Sequence, residues 1–169
     1  IPFTDAMGWD KPEHYLTIRT ADIDGDGRAE IMGRGAMGMA FWHHTGTDWE
    51  LKMPNFIPLT DSFGWDQPRQ FLTIRAADLD GDGRAEILGR SAHGVGMFRY
   101  VGEGWELVPS RLAYTDAMGW DDPKYYSTIR TADVDGDGRM EVLSRSAFGL
   151  EVRNLAGKRD RTHNPNRRP

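Results

Sequence analysis

A six-residue motif that occurs three times constrains this chain more than any other feature. Asp5-Ala6-Met7-Gly8-Trp9-Asp10 returns as Asp61-Ser62-Phe63-Gly64-Trp65-Asp66 and again as Asp116-Ala117-Met118-Gly119-Trp120-Asp121, at offsets of 56 and 55 residues. An ungapped comparison of residues 5–38 with 116–149 gives 23 identities in 34 positions, so the copies must share one backbone conformation. A unit of this size cannot bury both faces of a small sheet and must stack on its neighbours. The chain divides into three tandem repeats, about 1–56, 57–111 and 112–157, and a basic tail at 158–169 that has no apolar side chains to bury and is expected to be disordered.

Within a repeat, short apolar runs are broken by Gly, Pro and Asp, and no window sustains a helical period over ten residues. The fold class expected is all-β. A first strand is read at Leu16–Ala21, with Ile18, Ile74 and Ile129 on one face and Arg19, Arg75 and Arg130 on the other. A second strand runs from Glu30 to Arg34, and a third alternates after Gly38. A fourth lies around Trp49-Glu50-Leu51 and Trp105-Glu106-Leu107, and Lys158-Arg159-Asp160 stands in its place in the last repeat. Four short antiparallel strands describe a β-propeller-type blade. Three blades do not close a comfortable ring. This leaves two chains pairing as a homodimer into six blades, a segment of a longer array, or a compact three-fold β domain.

Between the first and second strands of each repeat lies a nine-residue acidic loop: Asp22-Ile23-Asp24-Gly25-Asp26-Gly27-Arg28-Ala29-Glu30, then Asp78 to Glu86, then Asp133 to Glu141. Carboxylates at positions one, three, five and nine suit a hard cation that takes six to eight oxygens at about 2.3–2.6 Å. The candidate ligands are Asp22, Asp24, Asp26, the Arg28 carbonyl and Glu30; Asp78, Asp80, Asp82, Arg84 and Glu86; and Asp133, Asp135, Asp137, Arg139 and Glu141. The arginine side chains are expected to point to solvent. The cation expected is Ca²⁺, about one per repeat, since Mg²⁺ demands octahedral geometry and keeps its waters. An EF-hand would place its bidentate Glu at position twelve between helices, which this pattern does not do. Three such ions would move the formal charge from −5 to about +1, so the acidity reads as ligation and not as a field for a cationic partner.

The repeated Ala-Asp-x-Asp-Gly-Asp-Gly-Arg-x-Glu with an apolar strand after it resembles the FG-GAP/VCBS repeats of integrin α-chain propellers and of a seven-bladed fungal lectin, over nearly residues 1–157. The resemblance implies a propeller fold with Ca²⁺ in each acidic loop, on the residues named above. The chain departs from the family in carrying Glu at the ninth loop position, where Asp is usual, and Gly35-Ala36-Met37-Gly38 in place of a Gly-Ala-Pro element.

The lectin members of the family point to glycan as a partner. An indole face covers the apolar face of a pyranose while charged groups take its hydroxyls, which nominates Trp9, Trp65 and Trp120 with Arg34, Arg90 and Arg145. The competing reading makes each Trp a wedge packed between blades, with Tyr15, Phe71 and Tyr126 as inter-blade core. A non-catalytic protein-interaction or scaffold segment is the alternative function. No nucleophile–base signature, metalloprotease motif or phosphate-cradling loop is present, so no enzyme is expected, and His43-His44 is the one asymmetric cluster. The chain has no apolar run of about 20 residues to span a membrane and no basic–aromatic patch for nucleic acid, and it is expected to be secreted or extracellular.

Overall fold

The computed structural model describes residues 1–52 and 59–155. Each repeat forms one antiparallel sheet with its strands in chain order. The first holds β1 (Arg19–Ala21), β2 (Glu30–Gly35), β3 (Gly38–His44) and β4 (Trp49–Lys52). The second holds β5 (Arg75–Ala77), β6 (Glu86–Ser91), β7 (Gly94–Tyr100) and β8 (Trp105–Val108). The third, three-stranded among the described residues, holds β9 (Arg130–Ala132), β10 (Glu141–Ser146) and β11 (Gly149–Arg153). The all-β, blade-like architecture is therefore as expected. The expected boundary near residue 56, the Lys158-Arg159-Asp160 segment and the disordered tail at 158–169 lie outside the described residues.

The first strand is shorter than the sequence suggests, beginning at Arg19 and not at Leu16. Pro12–Tyr15, Pro68–Phe71 and Pro123–Tyr126 form single helical turns, α1 to α3, each opened by a proline whose missing N–H costs nothing at that position. Thr17 then ties the turn to the sheet. Its hydroxyl donates to the His14 carbonyl at 2.6 Å and accepts the Arg34 N–H at 2.9 Å, and Thr73 and Thr128 repeat the arrangement. The backbone from 16 to 18 serves this link and not the β-ladder.

Two apolar cores lie between sheets and not within them. Met32, Met39 and Phe41 of the first sheet meet Trp65, Phe71, Ile87, Phe98 and Tyr100 of the second repeat. Leu88, Val95 and Met97 of the second sheet meet Tyr114, Trp120, Ile129 and Val142 of the third repeat. The central strand β6 is covered on both faces, so Glu86 to Arg90 are all buried, where β2 and β10 are only partly so.

Backbone hydrogen bonds cross both seams, and four of them recur as two matched pairs. The Asp22 carbonyl accepts the Ala85 N–H at 2.6 Å, as Asp78 does that of Met140 at 2.8 Å. The Ala36 carbonyl accepts the Asp61 N–H at 3.0 Å, as Ala92 does that of Asp116 at 3.1 Å. In these four a carbonyl of one repeat meets an N–H of the next, while at the second seam the Val95 N–H also donates to the Leu112 carbonyl at 3.1 Å.

Candidate functional site

The acidic loops wind tightly because glycine is available where the backbone turns left-handed: Gly25 and Gly27 sit at φ of 81° and 86°. Asp22 stabilises the winding from inside, its carboxylate accepting the N–H groups of Gly25 at 2.6 Å and Gly27 at 2.8 Å. Asp26 accepts the Arg28 N–H at 2.8 Å. The second and third loops repeat these bonds from Asp78, Asp82, Asp133 and Asp137.

The winding gathers Asp22, Asp24 and Glu30 so that one carboxylate oxygen from each lies within 4.8 Å of the others, and it does the same for Asp78, Asp80 and Glu86 and for Asp133, Asp135 and Glu141. Asp26 joins a trio only with Asp24 and His43, and Asp82 and Asp137 join none among the described residues. Glu30 is fully buried and Glu86 likewise. Burial is the main force raising both carboxyls above the usual range, opposed by the N–H groups of Ile23 and Leu79 that each accepts. A buried carboxyl beside two further aspartates is a hard-oxygen donor set that fits a divalent cation.

Sequence reading missed what covers these trios from the third strand. His43 Nδ1 lies 3.1 Å from Asp24 and 3.2 Å from Glu30. At the matching place Arg99 pairs with both Asp80 and Glu86. Its hydrogen bond to Glu86 is the largest factor holding the Arg99 guanidinium above its ordinary range. In the third repeat the position is Asn154, one residue beyond β11. The signal was available in the alternation of the third strands, where His43, Arg99 and Asn154 share a register.

The loop arginines correct an expectation. Their side chains are exposed, yet they do not simply point to solvent: Arg84 lies over Gly25 of the preceding loop, and Arg139 lies over Gly81. A side-chain carbon added at either glycine would fall within 3.0 Å of that arginine, so each acidic loop except the last carries a cation from the next repeat.

The aromatic–arginine ligand set is overturned in most of its members. Arg34 and Arg90 have no exposed surface. Arg34 Nε donates to the Leu59 carbonyl at 2.8 Å and its Nη2 pairs with Asp61, while Arg90 donates to the Tyr114 carbonyl at 2.7 Å and pairs with Asp116. Both pin the next repeat's leading segment and are closed to ligand. Trp65 and Trp120 are each 5% exposed, wedged into the two seams, where apolar burial is favoured. Trp9 is half-buried against Phe3, with ring centroids 4.0 Å apart. Phe71 and Tyr126 are buried as expected, but Tyr15 is 45% exposed because no sheet precedes the first among the described residues. Arg145 is also exposed, its guanidinium 5.7 Å from the Tyr125 ring centre.

One member retains a ligand-accessible neighbourhood. Beside the edge of Trp120 opens a hollow of about 300 Å³ lined by Tyr114, Tyr125, Arg111, Glu151 and Arg153 among others. Tyr114 stacks on Trp120 at 4.0 Å, held by a 2.9 Å hydrogen bond from Ser144. Positions 33 and 89, which match Ser144, are glycines on which Trp9 and Trp65 lean directly.

A family model described as an FG-GAP-like repeat matches residues 22–89 and again 78–144. Among solved structures, a lectin of Agrocybe aegerita, described in terms of specific recognition of non-reducing terminal N-acetylglucosamine, superposes with a TM-score of 0.70 at 24% identity. The match covers 83% of this chain and 36% of the lectin, so the chain spans little more than a third of that protein's length. No curated protein sequence matches. Among the described residues, no helix is long and apolar enough to cross a membrane.

Proposed function

Because the chain belongs to the family of FG-GAP-like repeats, we propose that it is a calcium-organised, non-catalytic binding module that takes glycan at the aromatic hollow beside Trp120. The observation that carries the reading is that hollow. The edges of the stacked Tyr114 and Trp120, with the half-buried Tyr125, meet a charged rim of Arg111, Glu151 and Arg153 in a hollow of about 300 Å³. The lectin neighbour makes glycan the first class to test. The acidic trios are the proposed Ca²⁺ sites, and such ligation leaves their carboxylates unavailable for acid–base chemistry. A secreted location suits this reading, since extracellular calcium keeps even weak oxygen sites filled.

The two end faces support self-association. Leu150 is 72% exposed where its counterpart Val95 is 8% exposed, and Tyr15 is 45% exposed where Phe71 is 4%. Among the described residues Arg145 makes no carboxylate pair of the kind that Arg34 and Arg90 make, and Asp5 stands where Asp61 and Asp116 receive an arginine. A further repeat on either face, from a second copy or from a longer array, would continue the existing seams, with Asp5 or its counterpart meeting an arginine such as Arg145.

A glycan array probed with the Ca²⁺-loaded chain tests the ligand. Binding to a defined set of terminal sugars, weakened by Arg111→Ala, is expected. Silence across the array would remove the glycan reading and leave a protein-interaction module.

A further inference from the structure

The three arginines that the sequence places on the first strands form a group that neither calcium nor glycan explains. Arg19, Arg75 and Arg130 stand at the head of β1, β5 and β9, strands that neighbour one another in sequence of repeats. Together with Leu16, Leu72 and Ser127 they line an open hollow of about 500 Å³, and no carboxylate is among its walls.

The bonds these side chains make are all to neutral carbonyls. Arg75 Nη1 donates to Leu72 at 3.0 Å and to Ile74 at 2.6 Å, while Nη2 reaches across the seam to Ile129 at 2.6 Å. Arg19 donates from Nη1 to Leu16 and Ile18, and from Nε to Ile74 of the next repeat at 3.2 Å. Arg130 donates from Nη1 to Ser127 and Ile129. A guanidinium has five N–H donors, so each retains some, and none of the remainder is both buried and unpartnered. All three side chains line the hollow. Among the described residues, no salt bridge neutralises any of the three charges.

Such an arrangement is costly as it stands. Burial, and after it the charges of Arg19 and Arg130, brings the Arg75 guanidinium down to about 10, and burial together with the charge of Arg130 lowers Arg19. Inter-repeat clamping accounts for the carbonyl bonds of Arg19 and Arg75, but it does not require charge with no counter-ion, and Arg130 makes no cross-seam bond among the described residues. Preorganised guanidinium forks around a shared space are the usual means of recognising a planar or tetrahedral oxyanion.

We propose that the hollow framed by Arg19, Arg75 and Arg130 is an anion-binding site for a multivalent oxyanion, a phosphate- or carboxylate-bearing small molecule, held on the spare guanidinium donors. It lies on the first strands, apart from the acidic trios and from the hollow beside Trp120, so its test is independent of the glycan reading.

The test titrates the Ca²⁺-loaded chain with sulfate or with succinate, both poor calcium chelators, at constant ionic strength against chloride. Guanidinium N–H resonances are monitored by NMR. Saturable shifts confined to Arg19, Arg75 and Arg130, for either dianion, are expected, and which dianion binds more tightly distinguishes tetrahedral from carboxylate ligands. Arg130→Gln, which removes a charge without a seam bond, should weaken binding about tenfold, as losing one of three charge-assisted contacts would. Lys11→Gln should leave binding unchanged. Arg75→Lys keeps the charge while losing the fork, and its partial retention of binding would separate charge from clamping should Arg75→Gln fail to fold. Shifts no larger than chloride produces, shifts spread over arginines elsewhere, or affinity indifferent to Arg130→Gln would each overturn the assignment.

Discussion

At the scale of single residues, one side chain does different work according to whether another repeat is stacked on it. Arg34, Arg90 and Arg145 occupy the same position in three sheets, yet the first two are sealed beneath the next repeat and the third is exposed. Replacing Arg90 with Met leaves the Tyr114 carbonyl without its partner inside a seam and Asp116 with only the longer Arg69 contact at 3.6 Å, which should cost on the order of 3 kcal/mol. In the monomer, at concentrations too low for self-association, Arg145→Met should change stability by no more than about 0.5 kcal/mol. Urea unfolding of the two variants checks the contrast, and equal losses would mean that the seam bond contributes nothing particular. The sequence could not reveal this difference. Arg34 and Asp61 are 27 positions apart, in different repeats, and only stacking brings them together.

At the scale of the element, the acidic loop was the most legible part of the chain, because its glycines and aspartates act on one another within nine residues. Its cover was not, since that comes from a strand on the far side of a hairpin. The helical turns α1 to α3 were missed for a similar reason: four residues are too few to show a period, and Thr17, Thr73 and Thr128 fix them through bonds to a distant strand. The cover predicts that the three loops differ. Arg99 already places a positive charge between Asp80 and Glu86, so the second loop should bind Ca²⁺ most weakly. Arg99→Asn, which installs the third repeat's residue, should tighten that site by about tenfold or more, from the loss of one nearby charge at a few ångströms. Calorimetric titration reads this as a change in one of three binding steps. Three equal steps in the unmodified chain would show that Arg99 swings away without cost.

At the scale of the whole molecule, the repeat and its strand order were legible from sequence self-similarity, whereas the placement of the cores between sheets required the structure. Repetition favoured wedges over ligand platforms for Trp65 and Trp120, and their burial agrees, with Trp120 alone also lining a hollow. The end faces, exposed among the described residues, predict that this chain by itself forms a particle of twice the chain mass by light scattering at micromolar concentration. Arg145→Glu, which sets like charges against Asp5, should return it to the monomer. A monomer at every concentration would show that the exposed Leu150 and Tyr15 faces do not meet.

The polarity of the seams has a bearing on how such chains arise. Each joint is made by one sheet's carbonyls and guanidinium reaching forward to the backbone and aspartate of its successor. A duplicated segment inserted between two sheets would meet carbonyl, guanidinium and aspartate partners of the kinds it already uses. Such joints favour lengthening or shortening by whole units, and the close likeness of residues 5–38 to 116–149 is what copying of a unit would leave.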